Sequence, residues 1–272
     1  MPRGYRVHSK AVPNHPYPAP RAARVPDRCR VLAVGPGEGF LTGQSAAFLN
    51  YVRKSHHSIA VVNSTYESVE GLKASIHVHG LQWTDLYNTE TNVNAGSDSS
   101  QIVASVPESL FTGPERIFFI DLTLSDAAGH IVSRNFYWVP GTLTTFDWTK
   151  TNYTHTPAAR HEDLTALTSL PRAKVSSTAE IETTAQGREI HLRLENQSQA
   201  LAFQIRAAVR TSSGDLIAPV FWSDNWVELV PGESRTLTAL LPENVHETPV
   251  LQIEGWNIEP ESITPAASVA AR

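Results

Sequence analysis

Apolar and polar residues alternate along many short stretches of this chain, and a period of two residues is typical of a half-buried β-strand. The clearest case is "LKASIHVH" (72–79), in which every second residue is apolar. A turn at 125–129, "SDAAG", separates two strand-length segments and predicts a β-hairpin. The first block of predicted strands lies at 58–63, 72–79, 100–106, 116–124 and 130–139.

The alternation stops over residues 140–172, where prolines accumulate, and we expect a single helical turn within "HEDLTALTSLP" (161–171). It then resumes, and "LAFQIRAAVR" (201–210) predicts a strand with Leu201, Phe203, Ile205, Ala207 and Val209 on one face. The second block of predicted strands lies at 173–183, 188–196, 201–210, 216–222, 225–229, 234–242 and 248–258.

Short strands joined by frequent turns are typical of an immunoglobulin-like sandwich, so we predict an all-β protein with two of them in tandem. A segment rich in proline and basic residues precedes them and is predicted to be disordered, because it holds seven of the 18 prolines and little periodic apolar sequence. The predicted organisation is a disordered segment, a first sandwich, an ordered connection, a second sandwich and a disordered tail, at 1–50, 51–145, 146–172, 173–262 and 263–272.

Composition excludes several functions. A formal net charge of −5 gives no reason to expect nucleic acid or an anionic membrane as a partner. The single cysteine, Cys29, forbids a disulfide within the chain. No apolar run reaches the length of a membrane span, and the first residues lack the apolar centre of a secretory signal, so localisation stays open. No nucleophile elbow or phosphate loop is present, and no cofactor is implied.

The pair His77 and His79 is the best metal candidate in the sequence. Side chains two apart on a strand share a face, and a zinc ion could bind there if His56, His57 or His130 supplied a third ligand. The alternative is that both histidines lie on the solvent face, because the intervening apolar residues take the core face. The sequence favours this alternative, and no metal site is predicted.

The stretch "PVFWSDNWVELVPGESRTL" (219–237) raises a question of sugar binding. It places indole, carboxylate and amide groups together, and sugars stack on exposed indoles. The candidate contact residues are Trp222, Asp224, Asn225 and Trp226. The alternative is a strand, a Ser-Asp-Asn turn, a second strand and a Pro-Gly turn of a sandwich, since Asp and Asn favour turns. Trp138 and Trp256 are expected in the core or between the domains.

Several motifs, in order, resemble the C-terminal β-sandwich region of glycoside hydrolase family 2, and in particular exo-β-D-glucosaminidases and endo-β-mannosidases. They are "HHSIAVVNSTYESVEGLKASIHVH" (56–79), "RNFYWVP" (134–140), "FDWTKTNYTHTP" (146–157), "DLTALTSLP" (163–171) and the stretch at 219–237. The resemblance implies a modular enzyme in which Ig-like domains follow a catalytic (β/α)₈ barrel. It also implies a retaining mechanism with two glutamates, one of them in an Asn-Glu pair.

The sequence contains no Asn-Glu dipeptide, and two sandwiches leave no room for a barrel. No catalytic residue can be assigned, and we expect the chain to be inactive alone. The resemblance implies a non-catalytic fragment or accessory chain whose partner is a glycosidase barrel, or a glycan containing β-linked amino sugar or mannose. The alternative is a stand-alone carbohydrate-binding β-sandwich protein.

Overall fold

A computed structural model describes residues 30–34, 57–63, 65–142 and 144–267, and they form an all-β fold with two Ig-like sandwiches, as predicted. Among these residues the only helical elements are short 3₁₀ turns at Glu108–Thr112, Trp148–Lys150 and Thr165–Ser169, the last lying where a helical turn was expected. The strands of the first half are β1 (Arg30–Val34), β2 (Ser58–Asn63), β3 (Val69–His79), β4 (Asp85–Ala95), β5 (Ser99–Ser105), β6 (Ile117–Ser125) and β7 (Ile131–Pro140).

The first sandwich packs a three-stranded sheet, in the order β1-β2-β5, against a four-stranded sheet in the order β4-β3-β6-β7. The alternation in β3 and β6 turns one side of the second sheet inward, because neighbouring residues of a strand point to opposite faces. Burial of these apolar side chains is the main force that stabilises the sandwich. The buried core comprises Ile59, Val61, Leu72, Ala74, Ile76, Val78, Val93, Ala95, Val106, Phe118, Ile120, Leu122 and Leu124.

The connection between the sandwiches forms a two-stranded ribbon of β8 (Thr145–Phe146) and β9 (Ala158–Arg160). The strands of the second half follow it: β10 (Val175–Thr184), β11 (Gly187–Asn196), β12 (Ala202–Arg210), β13 (Phe221–Trp222), β14 (Val227–Leu229), β15 (Ser234–Leu240), β16 (Val250–Glu254), β17 (Glu261–Ile263) and β18 (Ala266–Ala267).

The second sandwich packs a five-stranded sheet, in the order β13-β15-β11-β10-β18, against a four-stranded sheet in the order β14-β12-β16-β17. Its core is aliphatic, with side chains from both sheets interdigitating as in other sandwiches. Its buried members include Ile190, Leu192, Leu194, Ile205, Val209, Val227, Leu229, Leu237, Leu251 and Ile253.

A third apolar cluster joins the two sandwiches. The face of the β4-β3-β6-β7 sheet that points away from the first core meets the start of β12 and the connection. Phe119 of β6 packs on Phe203 of β12 with ring centroids 5.6 Å apart, and Trp138 of β7 meets Phe203 edge-on at 5.4 Å. Trp138 therefore borders the domain junction, as expected, with 36% of its surface exposed. Trp256, expected in the core or between the domains, is 54% exposed and contacts the connection through a 2.8 Å hydrogen bond from its Nε1 to the Leu167 carbonyl. The buried members are Ile117, Phe119, Leu167, Leu170, Leu201 and Phe203.

The prediction that five residues of 201–210 share one face is wrong for the first two, Leu201 and Phe203. Gln204 has a φ of +54°, and the register with β14 shifts between Ala202 and Ile205, which is a β-bulge. The extra residue reverses the alternation, so Ala202 points into the second core while Leu201 and Phe203 point to the domain junction. Alternation alone does not reveal a bulge, because apolar residues lie on both sides of it.

Other differences concern strand ends. The predicted strand at 216–222 is regular only at Phe221–Trp222, and the sequence analysis missed β4, whose exposed side chains are mostly polar. Strand β1 falls within the segment 1–50 that was predicted to be disordered, and it pairs with β2; the rest of that segment lies outside the described residues. Strands β17 and β18 carry the second sandwich to residue 267, so the predicted tail begins too early.

Candidate sugar-contact and barrel-contact site

The stretch 219–237 crosses the second sandwich twice. Strand β13 pairs with β15 in the five-stranded sheet, whereas β14 pairs with β12 in the opposite sheet. The Ser223–Trp226 turn therefore wraps around the edge of the sandwich, and the Pro231–Gly232 turn leads back. Gly232 has a φ of +76°, the conformation that glycine adopts without a steric penalty. The predicted strands and turns are present, but they do not form one continuous hairpin.

The side chain of Asn225 holds this turn against the neighbouring strand. Its Oδ1 accepts a hydrogen bond from the Ala207 amide, and its Nδ2 donates one to the Ala207 carbonyl, both at 2.9 Å. The amide group thus pairs with β12 as a strand residue would. Because both polar atoms form hydrogen bonds to backbone groups, Asn225 serves the fold.

Asp224 and Trp222 also have roles in the fold. Asp224 Oδ2 lies 3.5 Å from Arg235 Nη1 on β15, and its Oδ1 accepts a hydrogen bond from the Asn225 amide. Trp222 packs, partly buried, against the apolar core of the second sandwich. Of the four candidate residues, Trp222 and Asn225 are therefore oriented inward, and Asp224 forms an exposed ion pair.

Trp226 is the candidate residue with a large open aromatic surface. It is 54% exposed and has a φ of +59°, which is uncommon for a residue that is not glycine. The Arg206 guanidinium lies 5.6 Å from the centre of its ring, within the range of a cation–π contact. Arg206 in turn donates a 2.7 Å hydrogen bond to Glu254 on β16. The indole is thus fixed on a charged sheet surface.

The structure adds Gln204 and Glu228 to this surface, which the sequence analysis did not identify. Gln204 Nε2 donates a 2.9 Å hydrogen bond to Glu228 Oε1. Burial is the main cause that raises the pKa of the Glu228 carboxyl to about 7, while Gln204 and Arg235 act in the opposite direction. The bulge in β12 brings Gln204 to Glu228, and no sequence motif marks that contact.

A chain of charges links the candidate turn to the other sandwich. Arg235 pairs with Glu233, Glu233 pairs with Arg134 of the first sandwich, and Arg134 pairs with Asp121 through two bonds of 3.1 Å. Burial opposes the charge on Arg134, but Asp121 and Glu233 outweigh it and raise the pKa of the guanidinium. Asp224 of the Ser223–Trp226 turn pairs with Arg235 and is therefore the last member of a series of ion pairs that crosses the domain junction.

Among the described residues, the histidine pair has no third metal ligand beside it. The rings of His77 and His79 stack 6.1 Å apart, and His79 stacks on Trp83 at 4.0 Å. His79 thus lies on the outer face of β3, as predicted, but that face is covered here by Trp83 at the rim of the domain junction, and burial lowers the pKa of its ring. Within the described residues, no three His, Cys, Asp or Glu side chains are grouped as metal ligands.

The histidines proposed as third ligands lie elsewhere or outside the described residues. His57 is buried against Phe111 with ring centroids 3.5 Å apart, and burial lowers the pKa of His57. His130 lies 3.1 Å from Asp126 in the turn before β7. His56 belongs to the part of the chain that the structure does not describe.

A separate cleft of about 480 Å³ opens at the edge of the second sandwich, away from these groups. Its lining mixes apolar and polar side chains from the segments around Leu216 and His246. It is open to solvent, and no buried charged group points into it. The described residues include no helix long and apolar enough to cross a membrane.

Comparison with protein families gives two matches that divide the chain as the sandwiches do. Residues 55–140 match the family described as mannosidase Ig/CBM-like domain. Residues 153–258 match the family described as exo-beta-D-glucosaminidase Ig-fold domain.

Curated relatives and solved structures agree with these matches. The exo-beta-D-glucosaminidase of Amycolatopsis orientalis is 31% identical over 222 residues, which are 78% of this chain and 21% of that protein. The enzyme of the same name from Streptomyces avermitilis is 32% identical over 77% of this chain and 24% of its own length. The crystal structure of the Amycolatopsis orientalis exo-chitosanase aligns with a TM-score of 0.70 and 30% identity, over 76% of this chain and 25% of the other. The chain thus spans about a quarter or less of these relatives.

Proposed function

Because this chain carries the Ig-fold domains of the exo-β-D-glucosaminidase and mannosidase group of glycoside hydrolase family 2, we propose that it is the non-catalytic Ig-like region of such an enzyme. In this role it works with a catalytic barrel, either within a longer chain or supplied separately. Its task is to hold two sandwiches in one fixed arrangement beside that barrel.

The observation that carries this proposal is the continuous junction between the sandwiches. A buried aromatic and aliphatic cluster and the Asp121–Arg134–Glu233 network join them, so they form one unit rather than two mobile modules. The alignment with the exo-chitosanase covers 76% of the chain, which is more than either sandwich contains, so both align together. A rigid pair of domains suits a structural role beside a barrel.

An exchange experiment tests the proposal. The Ig-like region of the Amycolatopsis orientalis enzyme is deleted in one variant and replaced in a second by residues 30–267 of this chain, which include β1. We expect the chimera to hydrolyse a chromogenic β-D-glucosaminide, the deletion variant to be inactive, and this chain alone to show no turnover. A chimera as inactive as the deletion variant, although folded, would count against the proposal.

A second candidate function is carbohydrate binding by the chain itself. The exposed indole of Trp226, held beside Arg206, favours it, because sugar rings stack on open aromatic faces. Calorimetric titration of the full chain with oligosaccharides tests this function. A flat titration with every glycan would exclude it and leave the structural role intact.

A further inference from the structure

The outer face of the four-stranded sheet in the second sandwich carries polar groups and one open indole. Inward positions along β12, β14 and β16 are apolar, so the residues between them point outward. We call this surface the Trp226 face and define it by its side chains, which are Gln204, Arg206, Trp226, Glu228 and Glu254.

Backbone conformation holds two members of the Trp226 face in uncommon positions. Gln204 in β12 and Trp226, which directly precedes the neighbouring β14, both have left-handed φ values, +54° and +59°. Such conformations cost free energy in residues other than glycine and persist where the surroundings impose them. Here they direct the Gln204 amide to Glu228 and the Trp226 ring to Arg206.

The charges of the Trp226 face do not balance. Arg206 is matched by Glu254 at 2.7 Å. Glu228 accepts a hydrogen bond from the neutral Gln204 amide, and among the described residues no Lys, Arg or His nitrogen lies within 4.0 Å of it. An ionised Glu228 therefore lacks an ion-pair partner, and in that state the face has a net charge of −1 beside an open aromatic ring.

This combination defines the ligand by its chemistry. The apolar face of a pyranose ring can stack on an indole. Amide and guanidinium groups can form hydrogen bonds with the hydroxyl groups of the sugar. A carboxylate without a cation favours a ligand that supplies one, since charge-assisted hydrogen bonds are the stronger ones. A neutral sugar would leave the Glu228 charge uncompensated, and an acidic sugar would be repelled.

We propose that the Trp226 face binds an amino sugar with a free, protonated amine, whose ring stacks on Trp226 and whose ammonium group pairs with Glu228. The inference rests on the second candidate function and specifies its residues and its ligand. Asp224 and Arg235 are the other charged groups that act on Glu228, and they oppose each other.

Calorimetric titration of the full chain at pH 7 tests the proposal. The probes are a β-1,4-linked glucosamine tetramer, its fully N-acetylated form and cellotetraose. We expect the glucosamine tetramer to bind most tightly, and Glu228→Gln and Trp226→Ala each to weaken it by about tenfold or more. Trp148→Ala, which removes another exposed indole, serves as the matched control and should bind like the wild type. Circular dichroism confirms that each variant is folded.

Each outcome decides between the claims. Equal binding of all three tetramers, or binding unchanged in Glu228→Gln, overturns the amino-sugar inference while carbohydrate binding survives. Binding that is lost in Trp148→Ala but kept in Trp226→Ala overturns the location. No binding of any probe overturns both the inference and the second candidate function, and leaves the accessory role beside a barrel unaffected.

Discussion

Two buried asparagines perform the same task in the two sandwiches. Asn63 ends β2 and Asn196 ends β11, and each is almost fully buried. The Oδ1 atom of each accepts hydrogen bonds from the amide and the hydroxyl of the residue two positions later. The Nδ2 atom donates to carbonyls across the sandwich, including Ala95 and Leu229. The Asn-x-Ser/Thr triplets that begin at Asn63 and Asn196 therefore form the same structural turn in each sandwich.

Substitution of Asn196 should destabilise the second sandwich. Asn196→Ala leaves the Leu229 and Ala200 carbonyls and the Ser198 amide without their partner in a buried setting, so we expect a loss of about 2–4 kcal/mol in the free energy of unfolding. Urea denaturation measures it. Asn152→Ala is the matched control, because Asn152 forms the same local turn on an exposed surface. Equal losses in both variants would contradict the structural role of burial.

Glu228 should make stability depend on pH. Burial raises its pKa from 4.5 to about 7, so the folded state holds this proton more tightly than the unfolded state does. The stability contribution is present below pH 4.5 and is lost as pH rises through 7. Glu228→Gln should therefore be more stable than wild type at pH 8, by on the order of 2 kcal/mol, and similar at pH 4.

Thermal melting at both pH values measures the effect of Glu228→Gln. The control is Glu180→Gln, an exposed carboxyl on β10. A Glu228→Gln variant that keeps the wild-type difference between pH 4 and pH 8 would show that Glu228 is ionised at little cost in the folded protein.

At the scale of strands and turns, the sequence predicts elements whose burial is one-sided. Strands β3 and β11 follow the alternation, because one face of each enters a core. Alternation does not predict the polar edge strand β4 or the bulge at Gln204, because neither has an apolar period of its own. The candidate site follows the same rule. Trp226 was identifiable as an indole beside a turn, whereas Glu228 depends on a contact that the bulge creates.

The turn between β14 and β15 offers a test of backbone conformation alone. A Cβ atom added at Gly232 would meet nothing within 4 Å, so Gly232→Ala changes only the cost of its φ of +76°. We expect a loss of about 1 kcal/mol in the free energy of unfolding. Gly113→Ala is the control, because Gly113 has a φ of −79° and an added Cβ would make an ordinary contact. A loss in Gly113→Ala as large as that in Gly232→Ala would refute the conformational explanation.

At the scale of the whole molecule, one sheet, β4-β3-β6-β7, contributes to the first core with one face and to the domain junction with the other. The inner face of β3, β6 and β7 forms the first core, and the outer face packs on the second sandwich. Strand β6 therefore reads as a nearly continuous apolar segment, as strands buried on both faces do. The polar Asp121 interrupts that segment where it binds Arg134.

Arg134 should couple the unfolding of the two sandwiches. Its side chain is 20% exposed and bridges Asp121 in its own sandwich to Glu233 in the other. Arg134→Met keeps much of the side-chain volume but leaves the largely buried Asp121 without its cation and Glu233 with Arg235 alone, so we expect a loss of about 3 kcal/mol. Because the network spans the junction, wild type should unfold in one calorimetric transition and the variant in two. Arg193→Met, which removes an exposed pair with Glu195, should keep one transition. A single, merely shifted transition in Arg134→Met would mean that the aromatic cluster around Phe203 is sufficient to join the domains.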